Sequence, residues 1–552
     1  MVELSSSSEV GSGWRTKLRE AQAEPLAVIR LAREANSRGE HMLALAVAQK
    51  ALRGLSLASA PEQAVPLRQQ MALALARSGA TEEAMEVLRD SLVAAPEDGE
   101  TLGLLGRLHK DLAEQATEVE LAACHRQRAL GFYAKGFAIE RSAYCGINTA
   151  VLEALTGDPA RARKTARRVL ELPPDEDRLW SAATIAMARM LCGEQESAGE
   201  AFARADRAGE MRRSDLAAVR REARRLASVL HGDSAVYDAC FRPAAVAVFS
   251  GGGDALGAAE GLGLVRWLEE NNVVCAWSAA ASGEEAGFLE GAAALGVETC
   301  AVLPEREPWA ICRKAVARSG LVDYAGETGS GGPAAAELAR HIATARAVAR
   351  AASWDVPLLP VTVGSTMPAC WVNLSPAPFA LRACPQNGCR APEVAGLLTA
   401  VLCVRAVADG DEETASGLPE VWENHPARYG CSNGSEGPYL FSWSTVGEAG
   451  RAAVDLRERL QGGRAKAPCS YILHATAKAE AGTDLDGWAR RVYPGRIHAT
   501  GRFADLATLD CGRNFDLCYV GTIDCEAEPL GMRLYHLRGC GSVEVFMERS
   551  ES

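Results

Sequence analysis

A chain of 552 residues has room for about three or four domains. Its 48% hydrophobic and 24% charged residues are ordinary for a globular protein, and a net charge of −12 argues against a general nucleic-acid surface. It has neither a run of about 18 apolar residues to span a membrane nor the n- and h-regions of a signal peptide in MVELSSSSEVGSGW.

The expectation is a cytoplasmic chain with no nucleic-acid and no membrane partner. Many of its 17 cysteines, among them Cys275, Cys300 and Cys403, sit inside apolar runs, where a thiol behaves as a small hydrophobe and fits a reducing compartment. Residues 1–23 read as a disordered N-terminus.

Residues 24–235 are almost wholly helical in pattern, rich in Ala, Leu, Arg and Glu, with Gly or Pro punctuation. Met71-Ala72, Leu75, Ala84, Leu88 and Pro96 mark one unit, and Leu105-Gly106 stands one period after Met71-Ala72. The run Leu155-Thr156-Gly157-Asp158 returns as Leu191-Cys192-Gly193-Glu194, each closing a first helix before Ala162 or Ala198 opens the packing face of a second. Glycine there is expected as a left-handed helix stop, and alanine as a point of close helix approach. This pattern resembles tetratricopeptide repeats. Within it, Thr101–Leu112 and Tyr144–Asp158 resemble the helical regulatory region, once called TRAF-binding, of MAP kinase kinase kinases and bacterial relatives, over roughly residues 60–230. That resemblance implies a protein partner held by the repeats, with Lys110 and Asn148 as candidate contacts beside the plainer reading of solvated helix faces. Arg212–Arg225 alternates with Leu216, Val219, Ala223 and Leu226, as an amphipathic closing helix would.

From Phe241 the pattern becomes α/β. A strand over 244–249 runs into Ser250-Gly251-Gly252-Gly253-Asp254 and an alanine-rich helix, a turn whose backbone amides can approach a phosphate. A strand at Val273–Trp277 leads to Ala281-Ser282-Gly283-Glu284-Glu285 and a helix over 286–295. Strands at Glu298–Leu303 and 356–363, with a helix over 334–352, complete a domain spanning 241–375. The series resembles the SLOG superfamily of Rossmann-like nucleotide sensors. Gly283, Phe288 and Glu290 match that family's middle turn, whereas Glu285 replaces an Asp and Glu284 a Gly. The resemblance implies a nucleotide ligand near Ser250, Gly251, Gly252, Gly253, Asp254, Gly283, Glu285 and Glu290, with binding weakened because two adjacent acids oppose an anion.

Residues 376–394, rich in Pro, Cys and Gly, read as a linker. Cys384 and Cys389 have ligand-like spacing but no second close pair or His follows, so a surface loop is expected and no metal site. Residues 395–552 contain a strand at Leu397–Val407, a turn Ser435-Glu436-Gly437, a strand from Tyr439 and an amphipathic helix over Val446–Leu460. This part resembles the class III adenylate/guanylate cyclase homology domain, and Asp516–Leu537 resembles that family's closing strand pair. The family's first metal-binding Asp falls on Arg405, its second on Glu436, and its transition-state Arg on Arg490. A guanidinium cannot ligate Mg²⁺, so the resemblance implies a catalytically dead domain that survives for homodimer or heterodimer formation.

The fold expected is therefore multidomain α and α/β, with a tetratricopeptide-like helical array, a Rossmann-like α/β domain and a cyclase-like, ferredoxin-like α+β domain. The function expected is a regulatory scaffold in signalling, with no cofactor and a nucleotide as the candidate ligand. The alternatives are an active nucleotidyl cyclase with an unusual Mg²⁺ site and a purely structural assembly platform.

Overall fold

The structure is a computed structural model. It describes residues 25–37, 41–53, 55, 60–116, 118–174, 176–210, 212–304, 310–324, 333–363, 379–380, 398–406, 428–431, 439–443, 446–462, 469–477, 485–492, 495–507, 509, 515–525 and 528–539. The expected N-terminal disorder, Glu436, Cys384 and Cys389 lie outside the described residues. The described residues up to Arg242 group with Cys518–His536 as one compact unit, and Pro243–Leu517 groups with Leu537–Gly539 as a second.

The first unit is built from helices α1 (Pro25–Ser37), α2 (His41–Leu52), α3 (Pro61–Arg77), α4 (Thr81–Ala94), α5 (Gly99–Gln115), α6 (Val119–Glu140), α7 (Ala143–Leu155), α8 (Pro159–Leu170), α9 (Arg178–Cys192), α10 (Gln195–Ala208) and α11 (Arg213–His231). The first ten pack as five successive pairs, and the first helices of neighbouring pairs touch all along the array. Alanine sets how closely paired helices approach: Ala84, Ala162 and Ala198 are fully buried. In three pairs the first helix stops at a glycine with positive φ, Gly79 at 90°, Gly157 at 93° and Gly193 at 84°. The following amide then reaches back into the last turn: Ala80 N donates to Leu75 O at 2.8 Å, Asp158 N to Glu153 O at 2.9 Å, and Glu194 N to Arg189 O at 3.0 Å. A side chain in this left-handed conformation costs roughly 1–2 kcal/mol, which is why glycine holds the stop.

Helix α11 has no following partner among the described helices. It buries Leu216, Val219, Ala223 and Leu226, as its pattern demands, and packs against α7 and α9. Lys110 and Asn148 take part in fixing it: Lys110 Nζ lies 3.2 Å from a Glu222 carboxylate oxygen and donates to Asn148 Oδ1 at 3.3 Å. Arg225 adds a 2.6 Å bond to Glu114. The two candidate contact residues thus tie α5, α7 and α11 together. A second polar pair lies deeper, where His109 and His125 bring their Nδ1 atoms to 3.0 Å and His109 stacks on Phe132. Burial pushes both imidazoles down, His109 to about 4, so one neutral ring donates and the other accepts.

In the second unit, β1 (Ala245–Ser250), α12 (Ala258–Glu270), β2 (Val273–Ser278), α13 (Gly283–Ala294), β3 (Glu298–Leu303), α14 (Arg313–Arg318), β4 (Leu321–Tyr324), α15 (Pro333–Trp354), β5 (Leu358–Thr362) and β6 (Phe379–Ala380) make a six-stranded sheet with its covering helices. Its order is β4-β3-β2-β1-β5-β6 and every pairing is parallel. Parallel strands covered on both faces need continuous apolar runs, and all six residues of β1 are buried. One core joins the sheet to α12, α13 and α14, and the other joins it to α15. The strand order reverses between β1 and β5, so the C-terminal ends of these two strands flank the crevice where such sheets hold ligands. Two boundaries differ from the sequence reading. Helix α13 begins at Gly283 rather than at residue 286, which puts Glu284 and Glu285 in its first turn, and Phe379–Ala380 in the expected linker pairs with β5.

The remaining elements of this unit are β7 (Leu398–Ala406), β8 (Arg428–Cys431), β9 (Tyr439–Trp443), α16 (Val446–Gly462), β10 (Cys469–Ala477), α17 (Leu485–Ala489), β11 (Ile497–Thr500) and α18 (Gly501–Ala507). Their strands run β11-β10-β7-β9-β8, with β10 parallel to β11 and the other pairings antiparallel. Helices α16 and α17 pack on β7 and β10, and α18 on β10. The last described strands are β12 (Phe515–Cys525) and β13 (Glu528–Gly539), neighbours in strand order.

The array's close helix approach is directly testable. Replacing fully buried Ala84 by Trp should overpack the pair α3–α4 and cost about 1–3 kcal/mol, read as a lower denaturant midpoint with an unchanged m-value. An unaltered midpoint would mean that this position tolerates bulk.

Candidate functional site

The turn after β1 sits where the strand order reverses. Ser250, the last residue of β1, is buried and registers with Thr362 at the end of β5. Gly251, Gly252, Gly253 and Asp254 follow, with Gly251 buried and Gly252 and Asp254 exposed. Beside them starts α13, whose N-cap Ser282 is extended at φ −155°. Gly283 has to be glycine: a Cβ built there would overlap the Asp254 carbonyl oxygen, backbone that cannot swing away.

Two amides of this turn, those of Gly251 and Gly253, are already paired. Gly253 N donates to a Glu284 carboxylate oxygen at 2.8 Å, and Gly251 N approaches Glu285 at 3.4 Å. Ala281 N donates to the other Glu285 oxygen at 2.8 Å. The helix start is satisfied in the same way, with Glu284 N bonded to Gly253 O at 3.2 Å and Glu285 N to Ser282 Oγ at 3.2 Å. Ser282 Oγ in turn donates to Gly251 O at 2.7 Å. Two carboxylates therefore stand where a strand-to-helix turn of this kind would place an anion. Cβ atoms at Gly251 or Gly253 would fall 2.6 Å from the Glu284 carboxylate, so the glycines make room for a side chain of the protein itself.

Glu285 is fully buried and needs a counter-charge. Arg340, from α15 on the opposite face, supplies it, with Nε 2.8 Å from Glu285 Oε1 and Nη2 donating to Gly251 O at 3.2 Å. Burial pushes the Glu285 carboxyl above the usual carboxylate range, while Arg340 and the two amides pull it back. Arg340 also lies 3.6 Å from Glu337. Beneath the turn, Cys312 Sγ donates weakly to Ser282 O at 3.6 Å, and burial pushes its thiol up to about 11.

Of the residues expected here, Ser250, Gly251, Gly252, Gly253, Asp254, Gly283 and Glu285 are brought together. Glu290 is not: seven positions along α13 from Gly283, about 10 Å by helical rise, it pairs with Lys314 at 2.5 Å. Sequence reasoning missed Ser282 and Arg340 and left Glu284 out of the site. The acids could have been placed by their preference for a helix's first turn, whereas Arg340 is 55 residues from Glu285 and carries no local signal. In the other sheet Arg405 lies on β7, half-buried and opposite Ser470 of β10, and Arg490 is exposed in the turn after α17.

Comparison with known proteins bears on the first unit. A family model described as Tetratricopeptide Repeats-Sensor matches residues 42–153, from within α2 to within α7. The array is tetratricopeptide-like. No curated protein matches the chain. Similar solved structures include a thermophilic TPR protein of Thermus thermophilus, at 21% identity over 37% of this chain and 98% of that one, with a TM-score of 0.29. Another is PilF of Pseudomonas aeruginosa, at 18% identity, 40% and 90% coverage and a TM-score of 0.28. A tetratricopeptide repeat protein of Parabacteroides merdae matches at 12% identity, 49% and 87% coverage and a TM-score of 0.27.

The internal carboxylates predict how the turn responds to substitution. Glu284→Ala frees the Gly253 amide and removes one like charge, and should raise affinity for a nucleoside triphosphate on the order of tenfold. Thermal shift at low ionic strength, comparing the variant with the unaltered chain, gives the measurement. Equal shifts in the two proteins would show that Glu284 does not guard the amides.

Proposed function

We propose that this chain is a regulatory scaffold in signal transduction, in which the tetratricopeptide array docks a protein segment, a Rossmann-like domain senses a nucleotide, and a cyclase-like domain is kept without catalysis. The observation that carries the reading is Arg405. It sits on β7 between β9 and β10, at the position where the cyclase resemblance calls for a metal-binding carboxylate. Two-metal cyclisation needs carboxylates to hold both ions against the attacking hydroxyl and the α-phosphate, and a fixed positive charge opposes that.

The nucleotide reading rests on the crevice between the ends of β1 and β5, and on the glycine turn that opens into it. With Glu284 and Glu285 on the turn's amides, a ligand that enters must either displace Glu284 or bring a compensating cation. The array contributes stacked helix pairs, an architecture that buries only neighbour on neighbour and leaves an extended surface for a partner.

Purified full-length chain, incubated with ATP or GTP and Mg²⁺ or Mn²⁺, should form no cyclic nucleotide above background. Reproducible turnover abolished by Glu436→Ala would overturn the pseudo-enzyme reading. Because cyclase-like domains pair to build their sites, light scattering on the full chain at micromolar concentration should give a dimer mass. A monomer mass under those conditions, with no co-purifying cyclase, would remove pairing from the proposal.

A further inference from the structure

At the other end of the parallel sheet, where β2 and β3 begin, three ligand-type side chains converge. Cys275 registers opposite Glu298 and Trp277 opposite Cys300, so both thiols and the carboxylate project from the face that α15 covers. The two sulfurs are 4.0 Å apart, and Cys300 Sγ lies 4.0 Å from Glu298 Oε1. All three donor atoms fall within 4.8 Å of one another. Both cysteines are fully buried, whereas Glu298 is 43% exposed and opens the cluster to solvent.

We propose that Cys275, Cys300 and Glu298 bind a thiophilic divalent cation of the zinc type. Zinc–sulfur bonds of about 2.3 Å at tetrahedral angles put two thiolates about 3.8 Å apart, so the two sulfurs need close by only a few tenths of an ångström, with the Glu298 carboxylate, at the open edge, swinging in to complete the set. Two soft thiolates select zinc over magnesium or calcium, and three protein ligands leave the fourth position for water or a further donor. Charge also balances. Two thiolates, one carboxylate and a divalent cation sum to −1, and Arg350 supplies the missing positive charge with Nη1 3.4 Å from Glu298 Oε1. The Arg350 guanidinium is steadied 4.9 Å over the Trp354 ring and 5.8 Å over Trp277, which fits it to orient the carboxylate. Packing alone accounts for two small thiols between strands and helix. It gives no reason for a carboxylate, itself held by an arginine, to meet them at their open edge. The cluster lies at the strands' N-terminal ends, away from the glycine turn, so it stands independently of the nucleotide reading.

Full-length chain, reduced and stripped of metal, should be titrated with Cd²⁺, whose bonds to thiolate absorb in the ultraviolet. One equivalent with thiolate absorption and two protons released is expected at this site. Cys275→Ala/Cys300→Ala should lose that equivalent. Glu298→Gln, a surface change that leaves the core intact, should weaken it at least tenfold. Competition with Zn²⁺ should displace the Cd²⁺ signal from the unaltered chain. Undiminished absorption in the double variant, unchanged affinity in Glu298→Gln, or a Cys275–Cys300 disulfide in protein kept under reductant would each overturn the assignment. Should the double variant fail to fold, Glu298→Gln alone decides.

Discussion

Buried backbone amides at the end of β1 have to be bonded to something, and in this protein the partner is a pair of glutamates. That requirement places the whole neighbourhood. Glu284 and Glu285 reach Gly253 and Gly251 only if α13 starts at Gly283, and α13 can start there only because Gly283 carries no Cβ against the Asp254 carbonyl. Burying Glu285 then demands Arg340 from α15. The result is an ion pair that joins the helix layers on opposite faces of the sheet. Removing one member of such a buried pair costs about 3–5 kcal/mol, since it strands the other charge without water. What looks in outline like an anion cradle is, in energetic terms, an internal clamp.

Helix α15 carries this logic further than the turn. Arg340 reaches the glycine turn, Arg346 pairs with Asp505 of α18 at 3.0 Å with both side chains buried, and Arg350 holds Glu298 beside the two thiols. One helix therefore supplies counter-charges to the candidate nucleotide crevice, to the helix beside β10, and to the proposed cation site. The Arg346–Asp505 pair is a weak source of net stability, because desolvation of both charges offsets their attraction. Its geometric demand is strict, however, and it fixes α18 against α15 in one register.

The helical array obeys a different economy. Its pairs are closed by local devices, glycine stops and alanine contacts, and each pair leans on its neighbours. The exceptions are polar: the Lys110, Asn148 and Glu222 network and the His109–His125 pair span helices and specify which faces meet. Helix α11, which the first of these networks helps to seat, closes the first-helix side over α7 and α9.

The sequence by itself determined what depends on near neighbours. Gly157 and Gly193 were legible as helix stops because a left-handed residue just past a helix end is a common local device that glycine adopts without strain. The buried strands β1, β2 and β3 were legible as continuous apolar runs, and α11 as an amphipathic helix. The glycine turn could be recognised, but its contents could not. Whether its amides face solvent or a carboxylate depends on where α13 begins, and that is set by contact between Gly283 and Asp254 across the turn. Glu290, matched by motif, points to Lys314 instead. Only the tertiary structure brought Arg340 to Glu285, Arg346 to Asp505 across 159 residues, and Cys275 to Cys300 and Glu298, because strand register and helix docking are long-range choices that no local spacing encodes.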